Sequence, residues 1–238
     1  MSSLAEKLAK RRQEIKDRST GGSVVFIKEG TLRIRILPAP DEVDWAVETT
    51  GFYLGPEVKG VFSADTLGED CPVLEKYHEL RDSSKPGDKE IAKTLTPRTK
   101  YLVAALVYED EKGKEIDTKR SGKLVQIPTG VYNTMIDNFL DPEMGDFTDP
   151  DTGYDFKIKR TGKGKQDTEY TLLPMRPSAI PKDYRKEVDP LDIFKESVAL
   201  SYDEAESKLA QFLVGSTDED EDEQPKAPKR RKKKRSKK

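Results

Sequence analysis

The sequence predicts a mainly β protein with appended helices, an α+β chain built as an OB-fold-like, partly open barrel with an irregular insertion. Three observations predict it. About six short strand-like segments fall in two clusters separated by turn signals. Helical patterns lie between or after those clusters instead of alternating with each strand. Basic and aromatic residues share the same strand segments. A β-sandwich fits the same strand periodicity.

Taken in order, Ser3-Leu4-Ala5-Glu6 reads as a capping box, and Leu4, Leu8 and Ile15 lie near one face of a helix ending before Gly21-Gly22. Thr31 to Leu37 alternates strictly and predicts a strand with Arg33 and Arg35 on its outer face, ended by Pro38 and Pro40. Trp45 to Leu54 predicts the next strand, with Gly51 as a bulge or bend. Residues 64–97 read as an irregular insertion with a short helix near Val73–Leu80. Tyr101 to Val107 is nearly continuous in apolar residues, which predicts a central strand buried on both faces. Lys112-Gly113 marks a hairpin tip, and Gly122 to Ile127 returns as partner strand.

Thr129 can cap a helix over Val131–Leu140 whose apolar face is Val131, Met135 and Phe139. Tyr154–Arg160 and Thr168–Leu173 form a second hairpin around Gly162-Lys163-Gly164-Lys165. Asp189-Pro190 opens another helix, and Ser201-Tyr202-Asp203-Glu204 is a second capping box starting a last helix that runs to Gly215. The expected organisation is a basic N-terminal arm (1–22), a core (23–187), C-terminal helices packed on it (188–215) and a disordered acidic-then-basic tail (216–238).

Charge is segregated. The net formal charge is −2, but Asp218–Glu223 is six consecutive acids and Lys226–Lys238 holds ten Lys or Arg, which leaves residues 1–217 at −6. An acidic body argues against general nucleic-acid affinity, so any binding face must be a local groove. One cysteine, Cys71, excludes an intrachain disulfide and fits a cytosolic setting. No apolar run approaches the roughly 20 residues needed to span a membrane, and no signal-peptide apolar region is expected near Lys7, Lys10, Arg11 and Arg12.

Cations beside flat rings suit single-stranded nucleic acid, because cations neutralise phosphates and rings accept unstacked bases. Residues 156–186 hold nine Lys or Arg against Asp167, Glu169 and Asp183, so this stretch is locally positive. The candidate phosphate contacts are Arg33, Arg35, Arg98, Lys100, Lys157, Lys159, Arg160, Lys163 and Lys165, and the candidate stacking residues are Tyr101, Tyr154, Phe156 and Tyr170. At most two or three of those rings are expected to face a groove, the others being core. Catalysis is not expected. His78 and Cys71 have no identifiable partners, and Asp146, Asp149, Asp151 and Asp155 lack an EF-hand spacing and read as a solvated turn. Gly162-Lys163-Gly164-Lys165 is too short for a P-loop. Three classes remain: a non-catalytic single-stranded DNA-binding protein, an RNA-binding or architectural protein, and a metal-dependent nucleic-acid enzyme.

Laid out this way, the chain resembles the single-stranded DNA-binding, helix-destabilising proteins of T-even-type tailed phages. The residues carrying the resemblance are Ile34-Arg35-Ile36-Leu37-Pro38, Asp70-Cys71-Pro72-Val73, Thr99 to Val107, Gly122-Lys123-Leu124 through Asn138, Phe156-Lys157-Ile158-Lys159 and Ser178-Ala179-Ile180-Pro181. The resemblance implies an OB-fold core with a groove of basic and aromatic residues, and a basic arm for cooperative self-association along the strand. On this chain the arm residues would be Lys10, Arg11, Arg12, Arg18, Ser19 and Thr20. It implies an acidic tail, here Asp218–Glu223, that recruits phage replication and recombination proteins, and a place in the cytoplasm of the infected host cell. The family usually carries a structural zinc held by one His and three Cys. Here Leu74 stands at the position of the next cysteine, so no metal and no other cofactor is expected, and Leu74 is expected to pack in an apolar patch. The Lys226–Lys238 run lies outside the family pattern.

Overall fold

The computed structural model of the protein describes residues 24–58, 60–109, 123–162 and 167–218. Its strands are β1 (Val24–Phe26), β2 (Gly30–Ile36), β3 (Ala46–Tyr53), β4 (Gly60–Phe62), β5 (Arg98–Glu109), β6 (Lys123–Ile127), β7 (Tyr154–Thr161) and β8 (Glu169–Pro177). All belong to one mixed sheet in the order β1-β6-β5-β2-β7-β8, with β3 pairing β5 and β4 pairing β3. The result is a mainly β, α+β open barrel. The two expected clusters of strands are therefore joined, and the join is β2, which pairs β5 on one side and β7 on the other. The short β1 and β4 escape periodicity because three residues are too few to show alternation.

The central strand is β5. Val103, Ala105 and Val107 enter a core cluster with Leu32, Ile34, Phe156 and Ile158, while Leu102, Ala104 and Leu106 enter another with Leu124, Ile180 and Phe194. Burial on both faces is what its unbroken apolar run dictates. The second of these layers comes from helix α4 (Pro190–Ser197), which carries Phe194 across β3, β5 and β6.

The insertion is more regular than its sequence suggests. The helix expected near Val73–Leu80 is α1 (Pro72–Asp82), and a second, unexpected one is α2 (Pro86–Thr94), each opened by a proline at its first turn. These helices and the last helix, α5 (Tyr202–Asp218), close a third cluster over the ends of β3 and β4: Phe52, Leu54, Val61, Val73, Leu80, Leu95, Ala205 and Leu209. Cys71 is buried in this cluster, Leu74 packs against it, and His78 is exposed beside Tyr77. The residues present do not fit a structural zinc, since one Cys and one His are half of the four N or S ligands it needs.

Both C-terminal caps form as read. Asp189 accepts from the Leu191 amide at 2.7 Å, and the Ser201 amide donates to Glu204 Oε2 at 3.0 Å. Helix α3 (Thr129–Leu140) differs in detail. Pro128 occupies its N-cap, Thr129 lies inside the helix, and Phe139 is partly exposed while Val131 and Met135 are buried. Gly51 is not a bulge. It pairs in unbroken register with Phe62 on one side and Arg98 on the other. The Ser3–Glu6 capping box, the Lys112-Gly113 tip, the arm residues Lys10, Arg11, Arg12, Arg18, Ser19 and Thr20, and the tail beyond 218 lie outside the described residues.

Candidate nucleic-acid interface

Eleven of the thirteen candidate residues are among those described, and they separate into four groups. Register sets the first two. On β2, Arg33 and Arg35 alternate with buried Leu32, Ile34 and Ile36, so they take the outer face as expected. That face is covered here, however. Arg35 is fully buried: its Nη2 donates to the Asp149 carbonyl at 2.7 Å, and its Nη1 donates to the Ser178 carbonyl at 2.9 Å and faces Asp155 at 3.4 Å. Gly153 closes against it, for a Cβ there would lie 2.8 Å from Arg35 Nη2 and 2.5 Å from the Phe147 carbonyl. Arg33 is bound twice by Asp155, through Nε at 3.0 Å and Nη2 at 2.7 Å, with Glu109 at 3.4 Å and the Tyr108 ring beneath it. The expectation that Arg35 meets phosphate is therefore corrected, and the charge of Arg33 is already neutralised. Tyr154 and Phe156 also lie inside, packed edge-on against Phe147 at 6.1 and 5.1 Å. They are core aromatics, not stacking platforms.

The second group stands at the start of β5. Arg98 is exposed and Lys100 is half-buried, and among the described residues neither has an ion-pair partner. Burial, then the neighbouring Arg98, pushes the Lys100 ammonium below its ordinary value. Tyr101 points to the other face. It stacks on Tyr132 of α3 with centroids 3.9 Å apart and planes within 10°, and Trp45 leans on Tyr132 at 5.2 Å. Tyr101 is thus half-buried, with one ring face taken by Tyr132. Burial first, then Glu48, its cross-strand partner, pushes the Tyr101 phenol up, and Asp44 stands likewise beside Tyr132.

The third group is on β7. Lys157 and Lys159 alternate with buried Phe156 and Ile158 and face outward, opposite Arg33 and Thr31 on β2 and Leu173 and Thr171 on β8. They too have no ion-pair partner among the described residues. The fourth group faces the opposite way. Arg160 donates to the Ile27 carbonyl at 2.9 Å and lies 6.0 Å from the Tyr170 ring centroid. Tyr170 and Leu172 form one wall of an open cavity of about 270 Å³ whose other wall is Pro128, Gly130, Val131 and Thr134 at the start of α3. Lys163 and Lys165 lie outside the described residues.

The cation pairs Arg98/Lys100 and Lys157/Lys159 hold like charges two residues apart on one strand, with no ion-pair carboxylate among the described residues. That arrangement suits a polyanion, which would lower their mutual repulsion. The aspartates are engaged elsewhere. Asp149 accepts the amides of Asp151 and Thr152, which hold its carboxyl below the usual range, Asp146 accepts from Thr148, and Asp151 pairs with Arg185. Among the described residues no group of His, Cys, Asp or Glu is placed to hold a metal ion, and no helix is long and apolar enough to cross a membrane. Sequence reasoning missed Tyr132 and Trp45, which complete the aromatic stack, and it read Asp155 as part of a solvated turn, whereas Asp155 is buried on β7 and captures both β2 arginines. Tyr132 had a signal, lying one residue after Val131 on the helix that follows β6. Asp155 had none, because a carboxylate within a basic strand does not announce its partner.

A family model described as "gp32 DNA binding protein like" matches residues 28–213, more than half of the chain. No curated protein matches it.

Proposed function

This chain belongs to the gp32 DNA binding protein-like family, a DNA-binding and non-catalytic family, and on that premise we propose that it is a single-stranded DNA-binding protein that coats and protects strands during phage DNA replication, recombination and repair. The observation that carries the reading is that Arg98, Lys100, Lys157 and Lys159 lie on one face of the sheet with no ion-pair carboxylate among the described residues, on a body of net negative charge. The β2 arginines are spent on internal carboxylates, whereas neighbouring cations of like sign without one raise the local positive potential that attracts an anion. Tyr101 and Tyr170 supply ring faces for unstacked bases, each with one neighbour already in place. Lys163 and Lys165 add further contacts to the phosphate backbone. The arm residues Lys10, Arg11, Arg12, Arg18, Ser19 and Thr20 promote self-association along the strand. Asp218–Glu223 holds replication and recombination proteins and competes for the basic surface, and Lys226–Lys238 adds nonspecific phosphate contacts. The setting is the cytoplasm of the infected host cell.

The test is a titration with oligo-dT, oligo-U and duplex DNA of matched length at one salt concentration. The reading predicts the tightest binding to oligo-dT and affinity that falls steeply with salt. Equal affinity for duplex, or binding indifferent to salt, would contradict it. Tighter binding of oligo-U would move the function to RNA.

A further inference from the structure

A glycine at a regular interior position of a strand costs stability, because it loses the most backbone freedom on folding and packs nothing. Gly51 is such a residue. It is buried in β3, paired without a register shift to Arg98 of β5 and Phe62 of β4, and its backbone is one that any residue adopts. Its neighbourhood supplies the reason. A Cβ at Gly51 would meet Lys100 Cγ at 3.0 Å and Lys100 Cε at 3.6 Å, while the nearest backbone atom, the Arg98 carbonyl oxygen, would be 3.8 Å away. The bare α-carbon is therefore the floor on which the Lys100 stem lies. The opposing Thr49 is fixed as well, accepting from the Thr66 hydroxyl at 2.6 Å. The stem is held at its root, so the ammonium is delivered half-buried and beside Arg98, and burial and that neighbour push it below its ordinary value.

We propose that Gly51 is a positioning residue for nucleic-acid binding: by leaving a gap in β3 it seats the Lys100 stem and so fixes the Arg98/Lys100 pair as a phosphate site. This rests on the functional reading above and deepens it. A side chain at position 51 would lift Lys100 at Cγ, near the root of the stem, and displace the ammonium while leaving the charge of the protein unchanged.

The experiment is a double-mutant cycle of Gly51→Ala and Lys100→Ala, read by oligo-dT affinity across a salt series and by thermal melting. Lys100→Ala is expected to weaken binding several-fold at low salt and to shallow the salt slope by about 0.7, the value of one contact on a single strand. Gly51→Ala is expected to weaken binding in the same direction when Lys100 is present and to have no effect on affinity in the Lys100→Ala background. Any loss of melting temperature in Gly51→Ala should be recovered in the double variant, since the clash is gone. The proposal is overturned if Gly51→Ala leaves affinity and slope unchanged, or weakens binding equally with and without Lys100. A wild-type protein that binds duplex as tightly as oligo-dT would instead overturn the functional reading itself.

Discussion

Asp155 accepts from two arginines at once, and that single carboxylate separates structural from available charge on this surface. It is buried, as is Arg35, so the pair is retained only while each partner satisfies the other. Asp155→Ala would leave the Arg35 guanidinium without its buried carboxylate, and we expect a loss of about 3–5 kcal/mol, the range for breaking a buried pair from one side. Urea unfolding monitored by tryptophan emission checks this; a loss below about 1 kcal/mol would show that the carbonyls of Asp149 and Ser178 suffice. The alternation of β2 correctly put Arg33 and Arg35 on the outer face. It could not show that the segments carrying Asp149, Gly153 and Ser178 fold back over that face, because coverage by a loop leaves no period in the strand it covers. The same limit hides which rings are core: Tyr154 and Phe156 look like Tyr101 in sequence and differ only in what packs on them.

Among elements, β5 and the C-terminal helices were the most legible and the insertion the least. An apolar run of seven residues bounded by polar ones admits only double-sided burial, and a capping box names its own partners. Helix α1 was legible near Val73–Leu80, whereas α2 was not, because its exposed face is charged and its apolar residues Ile91 and Ala92 pack in a cluster shared with β3, β4, α1 and, more than a hundred residues away, α5. The capping box makes a signed prediction. The amide and hydroxyl of Ser201 hold the Glu204 carboxyl below its ordinary 4.5. A depressed folded-state value contributes stability above the unfolded value and loses it as pH falls through the folded one. Glu204→Gln should therefore lower stability by about 0.5–1 kcal/mol at pH 7 and make no difference in strong acid. Thermal melts of the two proteins at pH 7 and pH 3 check it: the gap should narrow toward acid, and a gap that widened would refute the assignment.

For the whole molecule, the governing fact is charge segregation: an acidic body, local pairs of cations, and tails of opposite sign. In the proposed role, the basic residues of 1–22 would dock on the acidic body of the next protein along the strand. Deleting residues 1–20 should lower cooperativity on long single strands more than affinity for an oligonucleotide that holds one protein. Clusters that persist at the same protein concentration, seen by electron microscopy, would assign the arm another role. The central claim concerns which cations meet phosphate, and the salt dependence of binding measures it most directly. On oligo-dT, replacing Arg98, Lys100, Lys157 and Lys159 together with alanine should shallow the slope of log affinity against log salt by about 3, at roughly 0.7 per lost contact. Arg33→Ala, which removes a charge already held by Asp155 and Glu109, should leave the slope within about 0.3 of the wild type. A slope unchanged by the fourfold replacement, or reduced as much by Arg33→Ala as by loss of any one of the four, would contradict the account.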